Sequence, residues 1–121
     1  MSAESPFAPG TNRRRHRRVL YRDPVQVTVV GSPDQHRRYL LAEDLSESGL
    51  ALSSPDPFSV SSRLLMELQV SDIACPIRLT GRVVWAAQIG YQERYRLGVE
   101  FEDISAEALD QLRELVRARG R

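Results

Sequence analysis

The chain has 121 residues, 41% of them hydrophobic and 27% charged, with a net charge of +1, which sets the scale of one small globular domain rather than a disordered polycation. All 17 basic residues are arginine, and the single cysteine, Cys75, excludes an internal disulfide framework or a thiolate metal cluster. No apolar run approaches the roughly 18 residues that a membrane span needs, so the expected location is the cytoplasm and no membrane partner is expected.

Residues 1–12, MSAESPFAPGTN, combine prolines, a glycine and small polar residues, and they read as a disordered leader. Residues 13–23 form a basic arm. Residues 1–22 carry six arginines against Glu4 alone, whereas the remaining 99 residues carry eleven arginines against fifteen acids. The positive charge is therefore local and calls for a local anionic partner. The run RRRHRR is followed by only Val19, Leu20 and Tyr21 before Arg22 and Asp23, too short an apolar segment for twin-arginine export.

From residue 24 to 121 the pattern is that of successive short strands followed by a terminal helix. Pro24 opens a strand with Val25, Val27 and Val29 on one face. GSPD at 31–34 is a turn, residues 36–44 make a second strand, SESG punctuates, and Leu50 to Ser53 is extended again. After SSPDP at 53–57, Leu64, Met66, Leu68 and Val70 alternate with Leu65, Glu67 and Gln69 up to a turn near Ser71 and Asp72. Ile77, Leu79, Val83 and Trp85 then share a face, opposite Arg78, Thr80 and Arg82; Tyr95, Leu97, Val99 and Phe101 form the last alternation. About six short strands with turns between them and no crossover helix predict an all-β antiparallel barrel or sandwich. The period then changes. Ser105 is a good N-cap, Ile104 and Leu109 can form a hydrophobic staple, and Ala108, Leu109, Leu112, Leu115 and Val116 make one apolar stripe. A helix is predicted over about 104–118, packed on the barrel.

Nothing in the pattern supports catalysis. His16 and His36 both sit among arginines, without an orienting acid or a metal-type partner at local spacing. Cys75 precedes Pro76 and has no basic neighbour to lower its pKa. A triad built from Ser46, Asp44 and a histidine lacks the strand–nucleophile–helix context. The chain reads as a non-enzyme that binds no metal.

Two elements carry binding chemistry. An arginine presents a planar fork of donors that suits phosphate oxygens and the O6/N7 edge of guanine, and it can stack on a purine. In DLSESGL, residues 44–50, Asp44 and Ser46 project from one side of an extended stretch. A carboxylate there can accept from the N1 and N2 hydrogens of guanine, and the Ser46 hydroxyl can serve a phosphate or a base. Gly49 allows close approach to the backbone. Each element alone also has an ordinary reading, a solvated basic tail and a simple turn.

Taken in order, RxxxR ahead of the first strand and DxSxxG at the end of the second, the chain resembles the PilZ domain family. GRVVWA at 81–86 and YRLGVEFEDIS at 95–105 are similar to that family's ligand-side and closing strands, so the resemblance covers about residues 13–117. It implies a six-stranded antiparallel barrel with a C-terminal helix, acting as a bacterial receptor for cyclic di-GMP. By resemblance, Arg14 and Arg18 are the two arginines of RxxxR, with Arg13 and Arg17 as the alternative register. Arg17 stands where the family often has proline. Arg13, just ahead of the motif, implies an intercalated ligand dimer. Asp44, Ser46 and Gly49 form the opposing wall. Arg15 and Arg17 add auxiliary charge, and Trp85 is either a ligand contact or a core aromatic on the inward face with Val83. The implied mechanism is an adaptor whose arm is ordered by ligand and whose altered surface is read by a downstream protein. The competing readings are a nucleic-acid-binding barrel, disfavoured by the few exposed aromatics, and a ligand-blind PilZ-fold adaptor, against which the intact DxSxxG argues.

Overall fold

The structure, a computed structural model, describes residues 17–31, 37–69, 76–91 and 93–120. The leader, Arg13 to Arg15, His16, His36, Val70, the Ser71–Asp72 turn and Cys75 lie outside the described residues, as do positions 32–34 of the GSPD turn.

Among the described residues, seven strands and one helix run in the order β1 (Val19–Leu20), β2 (Pro24–Val29), β3 (Arg37–Leu45), β4 (Gly49–Ser54), β5 (Arg63–Leu68), β6 (Ile77–Gln88), β7 (Tyr95–Glu102) and α1 (Ala106–Arg119). All pairings are antiparallel. The sheet runs β3-β2-β5-β6-β7-β4, and β4 pairs back onto β3, so six strands close into a barrel with β1 added outside β3. The barrel reading is borne out. The sequence pattern does not signal β1, because two residues are too few to display an alternation.

Inward residues fall where period-2 alternation puts them. Val25, Val27, Leu64, Met66, Leu68, Ile77, Leu79, Val83, Leu97 and Val99 are all buried in one core. Gly81 faces the same core, where an added Cβ would lie 2.6 Å from Val99 Cγ1 and 2.8 Å from Met66 Cε. Two bulges break the alternation. One lies between Ala42 and Asp44 in β3, the other between Val83 and Trp85 in β6. Each inserts one residue, and each reverses the parity of the strand beyond it. Asp44 and Leu45 thereby face outward and inward respectively, and Trp85, placed inward with Val83 by strict alternation, instead shares the outward face with its cross-strand partner Gly98. The reading of Trp85 as an inward core aromatic is corrected accordingly.

Helix α1 seals one end of the barrel. Ser105 is its N-cap, its side chain accepting from the Ala108 amide at 3.1 Å, and Ala108, Leu112, Leu115 and Val116 join the barrel core. Its polar face is tied down along its length. Arg113 Nε donates to Glu47 in the β3–β4 turn at 3.1 Å, and Arg119 Nη2 to Asp23 ahead of β2 at 2.8 Å. Phe58, from the β4–β5 connection, is buried in the same core, with the Arg38 guanidinium 5.6 Å from its ring centroid.

Tyr21 anchors the junction between arm and helix. It is fully buried, its hydroxyl donates to the Gln69 carbonyl at 2.8 Å, and Arg119 lies 5.1 Å from its ring centroid. Burial, assisted by Asp23 and opposed by Arg119, pushes the phenol up to about 12 from its usual 10.0. The folded state then holds a proton that the unfolded chain gives up, so the contribution of Tyr21 is intact below pH 10.0 and is lost as pH rises toward about 12. Tyr21→Phe should cost about 1 kcal/mol at neutral pH. The variant should also lose stability less steeply than the wild type above pH 10.0, as measured by urea unfolding across alkaline pH.

Candidate functional site

The arm enters the described structure at Arg17, and Arg17 and Arg18 turn to different partners. Arg17 Nη2 donates to the Gly120 carbonyl at 2.6 Å and so reaches the end of α1. Arg18, beginning the approach to β1, turns the other way and places Nη2 3.4 Å from Asp44 Oδ1. Partial burial pulls the Arg18 guanidinium below its usual pKa, a shift that Asp44 opposes and the cation Arg96 reinforces. The sequence-predicted pairing of arm and DxSxxG is therefore made by Arg18 and Asp44. Arg13, Arg14 and Arg15 are outside the described residues.

Asp44 stands at one side of an outward-facing row that crosses four strands. Its neighbours in register are Ala51 of β4, Gly98 of β7 and Trp85 of β6. Three inter-strand steps make this row about 14 Å long. Its middle is flat because its residues are small. Gly98 has no side chain, and a Cβ added to it would fall inside the Trp85 indole, which lies over this glycine. The parallel row beside it contains Leu41, Ser53, Arg96 and Ala87. Residues of β4 that point outward, Ala51 and Ser53, are only 2% and 6% exposed, so the floor lies beneath longer side chains rather than at the surface.

Two polar atoms in the first row are buried without a hydrogen bond: Asp44 Oδ1, an acceptor, and Trp85 Nε1, a donor. Arg18 faces Asp44 Oδ1 as a long ion pair, not as a hydrogen-bond donor to it. Buried polar atoms are nearly always satisfied, so a pair of them at the two sides of one smooth floor is a departure from the rule that the rest of the fold keeps.

Ser46 and Gly49 play different parts. The Ser46 hydroxyl is 1% exposed and turned onto its own loop: it donates to the Gly49 carbonyl at 3.4 Å, accepts from the Ser48 amide at 3.2 Å and shares a proton with the Ser48 hydroxyl at 3.1 Å. The Ser46 amide also donates to the Gly49 carbonyl at 2.9 Å. Ser46 therefore fixes the turn that aims Asp44, and Gly49 begins the strand that forms the floor.

Three charged residues of the site carry no motif. Arg96 Nε donates to Glu43 Oε1 at 2.7 Å, a bond that runs from β7 to β3 across β4. Arg94 directs Nε and Nη2 onto Ser53 Oγ at 3.1 and 2.8 Å. The outward phase of Arg94 and Arg96 is readable from alternation, but Glu43 is hidden by the bulge it occupies. A cavity of about 370 Å³ lies elsewhere, among Gln26, Thr28, Leu65, Glu67, Thr80 and the Asp103–Ser105 link, and shares no residue with these rows. Among the described residues no cluster of His, Cys, Asp and Glu is arranged to hold a metal, and no helix is long and apolar enough to cross a membrane.

The model of the PilZ domain matches residues 12–118, and the chain belongs to that family. Among solved structures, it superposes on MotI/DgrA, the inhibitor of motility of Bacillus subtilis, with a TM-score of 0.73 at 19% identity, over 89% of this chain and 51% of that one. The PilZ domain of YcgR from Escherichia coli, solved with c-di-GMP, gives 0.67 at 18% identity over 90% and 92%. The PilZ domain of CeSA from a cellulose-synthesizing bacterium gives 0.62 at 18% identity over 86% and 98%. The chain thus spans about half the length of MotI/DgrA and nearly all of the other two domains. Among curated proteins no match was found.

Because Trp85 is the single tryptophan, its fluorescence reports this floor alone. Gly98→Ala must displace the indole. The expected result is a red-shifted emission maximum and a loss of about 1–3 kcal/mol in stability, measured by fluorescence-detected unfolding. An unshifted spectrum would show that the ring does not rest on Gly98.

Proposed function

We propose that this protein is a cytoplasmic receptor for cyclic di-GMP that works as an adaptor, without catalysis and without a metal. The observation that carries this reading is the pair of buried atoms without hydrogen bonds, Asp44 Oδ1 and Trp85 Nε1, at the two sides of the Ala51–Gly98 floor, with Arg18 beside it. Membership of the PilZ family supports the choice of ligand.

In the bound state Asp44 accepts from the N1 and N2 hydrogens of a guanine, and Arg18 exchanges part of its contact with Asp44 for a phosphate and a purine face. Arg14 supplies the second fork of RxxxR, and Arg13 admits a second molecule, so that the ligand is an intercalated dimer. Arg15 and Arg17 contribute charge. Trp85 offers a flat apolar surface to a base. Ser46 holds the turn, and Gly49 leaves the backbone open to close approach. Nucleic acid is not the partner in this reading, because the clamp is short and reads guanine groups rather than a long backbone.

Signal leaves the site through α1. The helix holds the arm at Gly120 through Arg17 and the DxSxxG turn at Glu47 through Arg113. Drawing the arm over the floor changes what the arm offers the helix end, and a downstream protein reads the altered surface.

Calorimetry with cyclic di-GMP tests the proposal. Wild type should bind at a stoichiometry of about two ligands per protomer. Arg18→Ala and Arg14→Ala should each lose about 1.5–3 kcal/mol of binding free energy. Normal binding by Arg14→Ala with loss in Arg13→Ala would move the motif by one residue. No binding by the wild type at tens of micromolar, or binding that falls with salt without preference for guanine, would reject the receptor reading.

A further inference from the structure

Arg96 and Glu43 lie outside both motifs, yet their ion pair is the bond that crosses the floor. Strand β4 separates β3 from β7, and the core fills its inner side, so a 2.7 Å contact between Glu43 of β3 and Arg96 of β7 must pass over the outer face of β4. Ser53, the residue of β4 beside Arg96 in register, is only 6% exposed although it points outward. Neither partner is buried: the Arg96 and Glu43 side chains are 45% and 33% exposed. An ion pair of that exposure holds little free energy and is exchanged readily for a better counter-charge.

Arg96 is also electrostatically part of the Arg18 site, since the two guanidinium groups repel each other. The resting floor thus carries two arginine–carboxylate pairs, Arg18 with Asp44 and Arg96 with Glu43, and a further arginine, Arg94, on Ser53. The two pairs are neutral by themselves, and Arg94 adds one positive charge. A ligand with two phosphodiester charges can enter this arrangement by taking over the role of the carboxylates toward the arginines.

We propose that Arg96 is a ligand-binding arginine supplied by the barrel rather than by the arm, and that Glu43 is the carboxylate the ligand displaces from it. The inference rests on the reading of the site as one for cyclic di-GMP. In the bound state the Arg96 fork leaves Glu43 and turns onto a phosphate oxygen above Ser53, and Glu43 swings out to solvent. The two partners of one salt bridge therefore have opposite effects on affinity: Arg96 is a contact and Glu43 is a competitor.

The test is calorimetric titration of the full chain with cyclic di-GMP, comparing wild type, Arg96→Gln and Glu43→Gln, with thermal unfolding and Trp85 emission recorded for each. Arg96→Gln should weaken binding about tenfold or more. Glu43→Gln should tighten it by between about two- and tenfold, because a competing pair and a repelling charge are both removed. Arg96→Lys, which keeps the charge without the fork, should fall between wild type and Arg96→Gln. Both glutamine variants lose the same bridge, so their thermal midpoints should move alike while their affinities diverge. If the two variants shift affinity in the same direction, or neither shifts it, Arg96 is structural and the inference is overturned while the receptor reading stands. If the wild type does not bind, the receptor reading fails and takes this inference with it.

Discussion

Strand β4 is covered on both faces, and the site depends on that one constraint. All six of its residues are buried. Leu50 and Leu52 fill the barrel interior, while Gly49, Ala51 and Ser53 form the outer side. A larger residue at Ala51 would interrupt the row that links Asp44 to Gly98. Because the outer residues are small, side chains from both neighbouring strands can extend over β4 and meet each other there. Barrel closure supplies the geometry: β4 is the strand through which β7 is joined to β3, so residues far apart in the chain, such as Glu43 and Arg96, become lateral neighbours.

The bulges in β3 and β6 decide which side chains that closed barrel presents on the face of the candidate site. A strand that alternates strictly serves the core on one face and solvent on the other. One extra residue in each of two strands brings Asp44 and Trp85 onto the outer face in the same row. The cost is visible in the two buried polar atoms left without hydrogen bonds. Such local violations of an otherwise consistent pattern are expected where function is built.

The same bulges explain which features are legible in the sequence. Strand positions, the inward residues of β2, β5 and β7, and the capped terminal helix all come from periods of 2 and 3.6, and the structure agrees with them. The motif identifies Asp44, and its motif partner Arg18 does meet it. Parity assigns Trp85 to the wrong face, because nothing in RVVWAA marks Val84 as an inserted residue. Glu43 escapes notice for the same reason. Alternation places Arg96 outward but leaves it looking like any solvated arginine, since its meaning depends on the non-local pairing of β4 with β7. The phase of Ser46 with Asp44 suggests a ligand group, whereas the bonds of its hydroxyl within its own turn follow a local preference that serine shares with other turn formers and that phase alone does not reveal.

Closure has a further consequence, for assembly. In an open sheet the two outermost strands leave rows of unpaired amides and carbonyls, which other chains can extend. Here every strand of the ring of six has a partner on both sides over part of its length, and among the described residues one-sided pairing is left to short stretches: Arg37–Leu40 of β3, Trp85–Gln88 of β6 and the two-residue β1. Backbone addition of a foreign strand is therefore limited to these short stretches. Closure thus leaves side chains, rather than long rows of backbone groups, as most of what the barrel presents at its surface.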